Sequence, residues 1–330
     1  MLKLAEFDYP LPKELIAQYP LEQREEARLL VLDRKTGAIS HGVFKDIAGF
    51  FKSNDLLVLN DTKVLHCRLM GKKNTGGRVE ILLTRRLSGT TFSCLVQPSR
   101  TKVGEKIIFA DGKITGILSS RGQISFKQQD ADVIYNFGIV PLPPYIKRDP
   151  EELDKVYYQT VYAQHEGALA SPTAGLHFTS ESLEQIKEAG VNLAYVTLHV
   201  GLGTFRPVKC ENILDHKMEA ESFLVPDATV EAIAKAKKDG GRIIAVGTTS
   251  LRALETYVAG RKEGNTDLFI YPGYKFALVD CLLTNFHLPM TTLFMLVCAF
   301  GGKELMMKAY QEAIVNKYRF YSYGDAMLII

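Results

Sequence analysis

Short apolar runs alternate along most of the chain with stretches whose apolar residues repeat at helical spacing. Residues 29–33, 55–60 and 192–200 read as buried strands. They are followed by a helical pattern over 227–239, with Val230, Ile233, Ala234 and Ala236 on one face, then a strand at 242–246 and a helix from Leu251. This alternation predicts an α/β body of mixed α+β character. Between residues 61 and 148 the period changes. Short strands at 78–84, 92–97, 106–109, 113–118 and 123–126 are separated by turns such as Gly76-Gly77 and Asp111-Gly112, the pattern of a small β-barrel. The stretch Pro141-Leu-Pro-Pro144 is stiff and extended, suited to a boundary. Because strand-like runs flank this segment, the expected organisation is a discontinuous catalytic body, residues 1–60 and 149–330, with a small barrel of residues 61–148 inserted. No internal repeat or low-complexity tract interrupts it.

A chain of 330 residues is long enough for two such domains and a full core, and 46% apolar with 23% charged residues is ordinary globular usage. The five cysteines are odd in number and form no C-x-x-C pair, so neither a disulfide framework nor a zinc knuckle is expected. The amino-terminal residues lack a signal-peptide core, and the longest apolar run, 293–300, is too short to span a bilayer. The expectation is a cytoplasmic protein with no membrane partner.

Charge changes the picture by its distribution. The net value is only +3, but residues 60–127 hold thirteen Lys and Arg against four acids, leaving +9 there and −6 elsewhere. A basic barrel suits a phosphate-bearing partner.

Two turns carry candidate binding chemistry. Gly247-Thr248-Thr249-Ser250-Leu-Arg252 lies where a strand meets a helix start, and free N–H groups at a helix N-terminus suit a carboxylate or phosphate. Ser250 reads equally well as an N-cap. In His199-Val-Gly201-Leu-Gly203-Thr204-Phe205-Arg206 two glycines follow a strand, permitting close approach to a ligand or simply meeting the demands of a turn. Of seven histidines, His177, His199, His216 and His287 sit among polar and glycine residues, and none is paired at metal-ligand spacing. There is no G-x-S-x-G elbow, P-loop or dinucleotide glycine fingerprint, so hydrolase, NTPase and dehydrogenase readings lose support.

At these motifs a family likeness emerges. The strings Arg28-Leu-Leu-Val-Leu-Asp33, Asn60-Asp-Thr62, Tyr158-Gln-Thr-Val-Tyr162, Pro172-Thr-Ala-Gly-Leu-His-Phe-Thr179, Val196-Thr-Leu-His-Val-Gly-Leu-Gly-Thr-Phe205, Gly247-Thr-Thr-Ser250, Thr284-Asn-Phe-His-Leu-Pro289 and Tyr323-Gly-Asp-Ala-Met327 occur in consistent order. Together they resemble the S-adenosylmethionine:tRNA ribosyltransferase-isomerase family of queuosine biosynthesis. The resemblance implies a tRNA partner carrying an aminomethyl-deazaguanine at the wobble position. It also implies S-adenosylmethionine as a consumed co-substrate rather than a cofactor, and no metal. The implied fold is a mixed α/β domain with an inserted barrel. The chain departs from the family pattern at Glu219, where a histidine is expected, at Lys63 in place of arginine, and at His66-Cys67 in place of Pro-Ala.

The implied chemistry removes a proton from the donor's ribose C5′, beside the sulfonium. Adenine is lost, the base's amine bonds to the sugar, and an epoxide closes as methionine leaves. Candidates for proton transfer are His177, His199, His216 and His287, with Glu221 and Asp325 as carboxylate partners. His177 is the first choice because it follows a Pro-Thr-Ala-Gly turn able to project it into a cleft, and His199 the second. The donor is expected at Gly201, Gly203, Thr204, Thr248, Thr249, Ser250 and Arg252, with the methionine carboxylate at the helix start. Lys63, Arg68, Lys72, Lys73 and Arg78 are expected to bind tRNA, and the protein to act as a monomer. The rival readings are an S-adenosylmethionine-dependent RNA methyltransferase and a non-catalytic RNA-binding protein, the latter leaving the glycine- and histidine-rich turns without a purpose.

Overall fold

A computed structural model of the chain describes residues 2–128, 130–201, 203 and 208–330. The molecule is mixed α+β and divides into two compact units: residues 1–63, 144–148 and 159–330 form one, residues 64–143 and 149–158 the other. The boundaries expected at 60/61 and 148/149 therefore move. Residues 61–63 stay with the body because Asp61 N donates to Val196 O, continuing the ladder of the preceding strand. After the proline stretch the chain enters the body for only five residues before residues 149–158 return to the barrel unit.

The body is built on a nine-stranded sheet. From one edge to the other its strands are Glu263–Thr266, Glu221–Leu224, Asn192–Leu198, Leu56–Asn60, Ile243–Val246, Cys281–Asn285, Ala326–Ile329, Arg28–Leu32 and Ile39–Val43. The four consecutive strands from Asn192–Leu198 to Cys281–Asn285 are mutually parallel. Three of these are buried at every position, which is why they read as continuous apolar runs rather than as alternations. Their side chains nevertheless alternate between two cores. Leu56, Val58, Ile243 and Ala245 pack with the helices Asp227–Lys238, Gly247–Val258, Thr292–Gly301 and Lys303–Val315. Leu57, Leu59, Ile244 and Val246 face Leu183 and Ile186 of helix Ser180–Glu188, and Phe44 and Ile47 of the 3₁₀ segment Phe44–Phe50.

At the amino edge of the parallel strands, buried Asp55 accepts from the Arg242 backbone N–H at 2.9 Å and from its guanidinium at 2.6 Å, locking two central strands together. Burial pushes this carboxyl up, but Arg242 and the backbone donors outweigh it and hold it below the usual range.

The second unit is a closed barrel of six strands, in order Gln123–Phe126, Thr91–Gln97, Arg78–Ser88, Arg68–Lys73, Lys106–Phe109 and Ile114–Ser120. Five match the sequence pattern; Arg68–Lys73 does not. Its inward positions are Leu69 and Gly71, and a Cβ at Gly71 would lie 2.6 Å from the Phe109 ring and 2.7 Å from Ile107. Glycine is required there by close packing, and its presence erases the apolar alternation that would announce the strand.

Replacing Gly71 by valine should overpack the barrel and lower its stability by about 1–3 kcal/mol. Gly77→Ala, whose Cβ would meet nothing closer than 3.8 Å, should change stability by less than about 0.5 kcal/mol. Denaturant titration read by amide exchange in the barrel strands checks both, and equal stability of Gly71→Val and the parent would refute the packing account.

Candidate functional site at the carboxyl edge of the parallel strands

In open α/β sheets, ligands collect where the carboxyl ends of parallel strands meet. Here that edge begins with Asn60, fully buried at the end of Leu56–Asn60. Its Nδ2 donates to Leu198 O and to Thr249 Oγ1, each at 3.0 Å. Its Oδ1 accepts from Leu198 N at 3.0 Å and Thr62 N at 3.2 Å. One amide thus joins a neighbouring strand, a helix start and its own following turn.

Thr62 in turn holds His199, with Oγ1 and Nδ1 2.7 Å apart. The hydroxyl also donates to His165 O at 3.5 Å, so the tautomer that satisfies both contacts has Nδ1–H donating to Thr62. That leaves Nε2 with a lone pair, and among the described residues it has no partner. The ring lies flat on Gly167, where a Cβ would come within 2.7 Å of it. Burial, then the nearby His165 imidazole, lowers the His199 pKa against the opposing pull of Asp61, so the neutral, proton-accepting form prevails at pH 7. Asp61 is itself raised by burial; it accepts from Thr197 Oγ1 at 2.7 Å and lies 3.6 Å from His165 Nε2.

The adjacent helix, Gly247–Val258, begins four residues earlier than its pattern suggests. Gly247 at φ +87° turns the strand directly into the helix, placing Thr248, Thr249 and Ser250 in the first turn. Ser250 is therefore no N-cap: its hydroxyl donates back to Val246 O at 2.7 Å, and no side chain caps the helix. The first-turn amides remain available to an anion.

Ala174 lies beside this turn, since a Cβ at Gly247 would be 3.7 Å from its Cβ. Ala174 belongs to the 3₁₀ turn Thr173–His177. Thr173 Oγ1 donates to Asn285 Oδ1 at 2.9 Å, and Asn285 Nδ2 donates to His177 Nε2 at 3.1 Å. The His177 lone pair is thereby occupied. The ring is buried 5.0 Å from Phe44, and burial, reinforced by Arg319 and Arg24, drives its pKa down to about 4. His177, the first choice from sequence, is thus enclosed and engaged, whereas His199, the second, keeps a nitrogen without a partner among the described residues.

Other expected residues are occupied elsewhere. His287 is buried, its ring bonded to Thr284 Oγ1 at 2.9 Å and its backbone N–H donating to Tyr310 Oη at 3.0 Å, with burial pushing its pKa down to about 3. The His216 ring stacks edge-on against Phe269 at 5.3 Å and makes no hydrogen bond among the described residues. Asp325 accepts from the backbone N–H groups of Arg28 and Arg319, at 3.0 and 2.7 Å, and so fastens strands rather than an imidazole.

Arg252 is buried on Glu221 and donates to Leu268 O at 3.0 Å, which leaves it no room to clamp a ligand carboxylate. Glu221 passes that anchorage on by accepting from Gly201 N at 2.8 Å. A Cβ at Gly201 would meet only ordinary contacts, at 3.8 Å, so local packing does not demand this glycine. Gly203 lies against Glu219, and Thr204 falls outside the described residues.

Sequence reasoning assigned no role to Asn60, Asp61, Thr62, His165 or Asn285. A polar run directly after a fully buried strand was the available signal for the first three. It also missed Thr160, Tyr162 and Ser171, whose hydroxyl oxygens are buried without a hydrogen-bond partner among the described residues. Tyr162 Oη sits against Gly175, 1.9 Å from where a Cβ would be. Among the described residues no group of His, Cys, Asp or Glu could hold a metal ion, and no helix is long and apolar enough to cross a membrane.

The family model described as Queuosine biosynthesis protein matches residues 4–329. The chain is 52% identical to the S-adenosylmethionine:tRNA ribosyltransferase-isomerase of Sulfurihydrogenibium sp. (strain YO3AOP1) over 336 residues, covering all of both chains. It is 50% identical to the protein of that name from Coxiella burnetii (strain RSA 331 / Henzerling II), covering 99% of this chain and 98% of the other. The crystal structure of S-adenosylmethionine tRNA ribosyltransferase from Thermotoga maritima superposes with a TM-score of 0.58 at 40% identity, over 98% of this chain and 100% of that one. A match running almost end to end, with the ordered strings and the shared fold, makes this chain a member of the queuosine biosynthesis protein family.

Proposed function

We infer that this chain is an S-adenosylmethionine:tRNA ribosyltransferase-isomerase. It transfers the donor's ribosyl carbons to the aminomethyl-deazaguanine at the tRNA wobble position, releasing adenine and methionine and leaving epoxyqueuosine. The observation that carries this activity is 52% identity, across whole chains, with relatives bearing that name. Nothing comparable favours methyl transfer.

Within that activity His199 is the base. The C5′–H bond breaks, its proton passes to the free Nε2, and the electron pair stays on the carbon beside the sulfonium. Thr62 holds the tautomer that leaves Nε2 unprotonated, and Gly167 lets the ring lie flat. The methionine carboxylate rests on the uncapped first turn at Gly247, Thr248 and Thr249. Arg252 acts at one remove, bracing Glu221 and through it Gly201. The unpartnered hydroxyls of Thr160, Tyr162 and Ser171 are suited to a polyhydroxylated sugar.

The basic barrel binds tRNA phosphates. Lys72, Lys73 and Arg78 make no ion pair among the described residues, whereas Lys63 is paired with Glu166 at 2.9 Å and Arg68 with Glu80 at 2.8 Å. The last two therefore contribute less. A cytoplasmic setting, where tRNA and donor meet, belongs to the same proposal.

Donor labelled in the ribose carbons should transfer its label to precursor tRNA. Transfer of methyl label instead would overturn the reading in favour of a methyltransferase.

His199→Gln should lower turnover by roughly 10²–10⁴-fold with little change in donor or tRNA affinity. Single-turnover kinetics with equilibrium binding measures both, and normal turnover would exclude His199 as the base.

Because the base form is neutral and its pKa is lowered, kcat/KM of the parent should fall only as pH drops through a value below the ordinary histidine pKa of about 6.5. A pH–rate profile whose acidic limb inflects above that value would contradict the assignment.

A further inference from the structure

The barrel carries a hollow of about 470 Å³ on the outer surface of its wall, lined by Met70, Lys72, Lys73, Arg78, Ile108 and Asp111 among others. We propose that this hollow is a subsite for a single nucleotide of RNA, separate from the wobble base, with its phosphate on Lys72, Lys73 and Arg78 and its base laid on Met70 and Ile108. The proposal rests on the reading that the chain binds tRNA, and deepens it.

The strands dictate the arrangement. In Arg68–Lys73, Leu69 and Gly71 face the barrel interior, so Met70 and Lys72 face out. Lys72 is registered against Arg78 on one neighbouring strand and Ile108 on the other. Like charges directly opposite each other on paired strands are destabilising. No acid forms an ion pair with Lys72, Lys73 or Arg78 among the described residues: nearby Glu80 is taken by Arg68, and Asp111, which lines the same hollow, lies beyond ion-pair distance of all three. An unrelieved cluster of cations around a concavity fits an anion that bridges them, and a phosphate diester does so.

The apolar part of the hollow supplies the second half of the recognition. Met70 is 53% exposed, an unusual place for a large thioether, and Ile108 is half-buried beside Lys72. A polarisable sulfur makes favourable contacts with aromatic rings, and RNA loops present unstacked bases as such rings. The lining also includes Ala110 and Asp111, in the turn that joins Lys106–Phe109 to Ile114–Ser120, where the backbone takes positive φ at +47° and +51°. Asp111 and Asn74 add polar groups able to meet the amino and carbonyl edge of a base. The size suits one nucleotide.

The test uses the full chain with methyl-labelled Met and Ile, titrated with precursor tRNA, with adenosine monophosphate and with inorganic phosphate. The Met70 and Ile108 methyl signals should move with tRNA and with the mononucleotide, and stay in place with phosphate alone. In parallel, K72Q/K73Q/R78Q should flatten the salt dependence of tRNA affinity by about two to three logarithmic units per decade of salt. R100Q/K102Q/R121Q, removing equal charge from exposed positions that do not line the hollow, should flatten it less. Methyl signals unmoved by tRNA that nonetheless binds and accepts ribosyl label would overturn the subsite and leave the function standing. Equal loss in the two triple variants would reduce the hollow to general surface charge. Absence of both tRNA binding and label transfer in the parent would instead remove the function, and the subsite with it.

Discussion

Asn60 spends its whole hydrogen-bonding capacity at one point, and the candidate site hangs from it. Two donated and two accepted bonds tie the end of a central strand to Leu198, Thr249 and Thr62. An amide this buried costs free energy unless fully matched, so the geometry tolerates little drift. The helix start, the strand end that continues into His199 and the hydroxyl that orients its ring are therefore set relative to one another by a side chain that has nothing left to offer a substrate.

The same rule sorts the histidines. Burial lowers the pKa of His177, His199, His216 and His287 alike, so neutrality alone does not identify a base. What separates His199 from His177 is the second nitrogen, and what separates it from His287 and His216 is its place beside the Asn60 network at the carboxyl edge of the parallel strands. At His177 an amide donor occupies it; at His199 the hydroxyl of Thr62 engages one nitrogen and leaves the other without a partner among the described residues. The neighbouring Asp61–His165 pair has the opposite character, a buried carboxyl beside an imidazole that is 52% exposed.

Charge is divided by the same economy. The body uses two arginines internally: half-buried Arg242 joins strand starts through buried Asp55, and buried Arg252 supports the glycine turn through Glu221. Removing either partner would strand a buried charge, so these pairs hold geometry more than they add stability. Among the described residues the barrel leaves Lys72, Lys73 and Arg78 without an ion pair, where solvent can screen them, while Arg68 is paired with Glu80.

Much of this was legible in the chain. Continuous apolar runs such as 56–59 and 243–246 mark strands buried on both faces, because a parallel sheet covered by helices has no polar side to show. The concentration of Lys and Arg between residues 60 and 127, and the ordered strings of the family, likewise needed no coordinates. The strand Arg68–Lys73 was hidden because Phe109 and Ile107 fill the space a side chain at Gly71 would need, a contact between residues nearly forty positions apart. Ser250 and Arg252 look like ligand groups in a string, yet both face inward, one to Val246 O and the other to Glu221. Which nitrogen of each histidine is engaged was decided only by folding, since Asn285 reaches His177 across 108 residues and Thr62 reaches His199 across 137. A sequence determines which side chains can hydrogen-bond and how often apolar ones recur; the partner each receives, and the nitrogen left over, depends on what tertiary packing brings within about 3 Å.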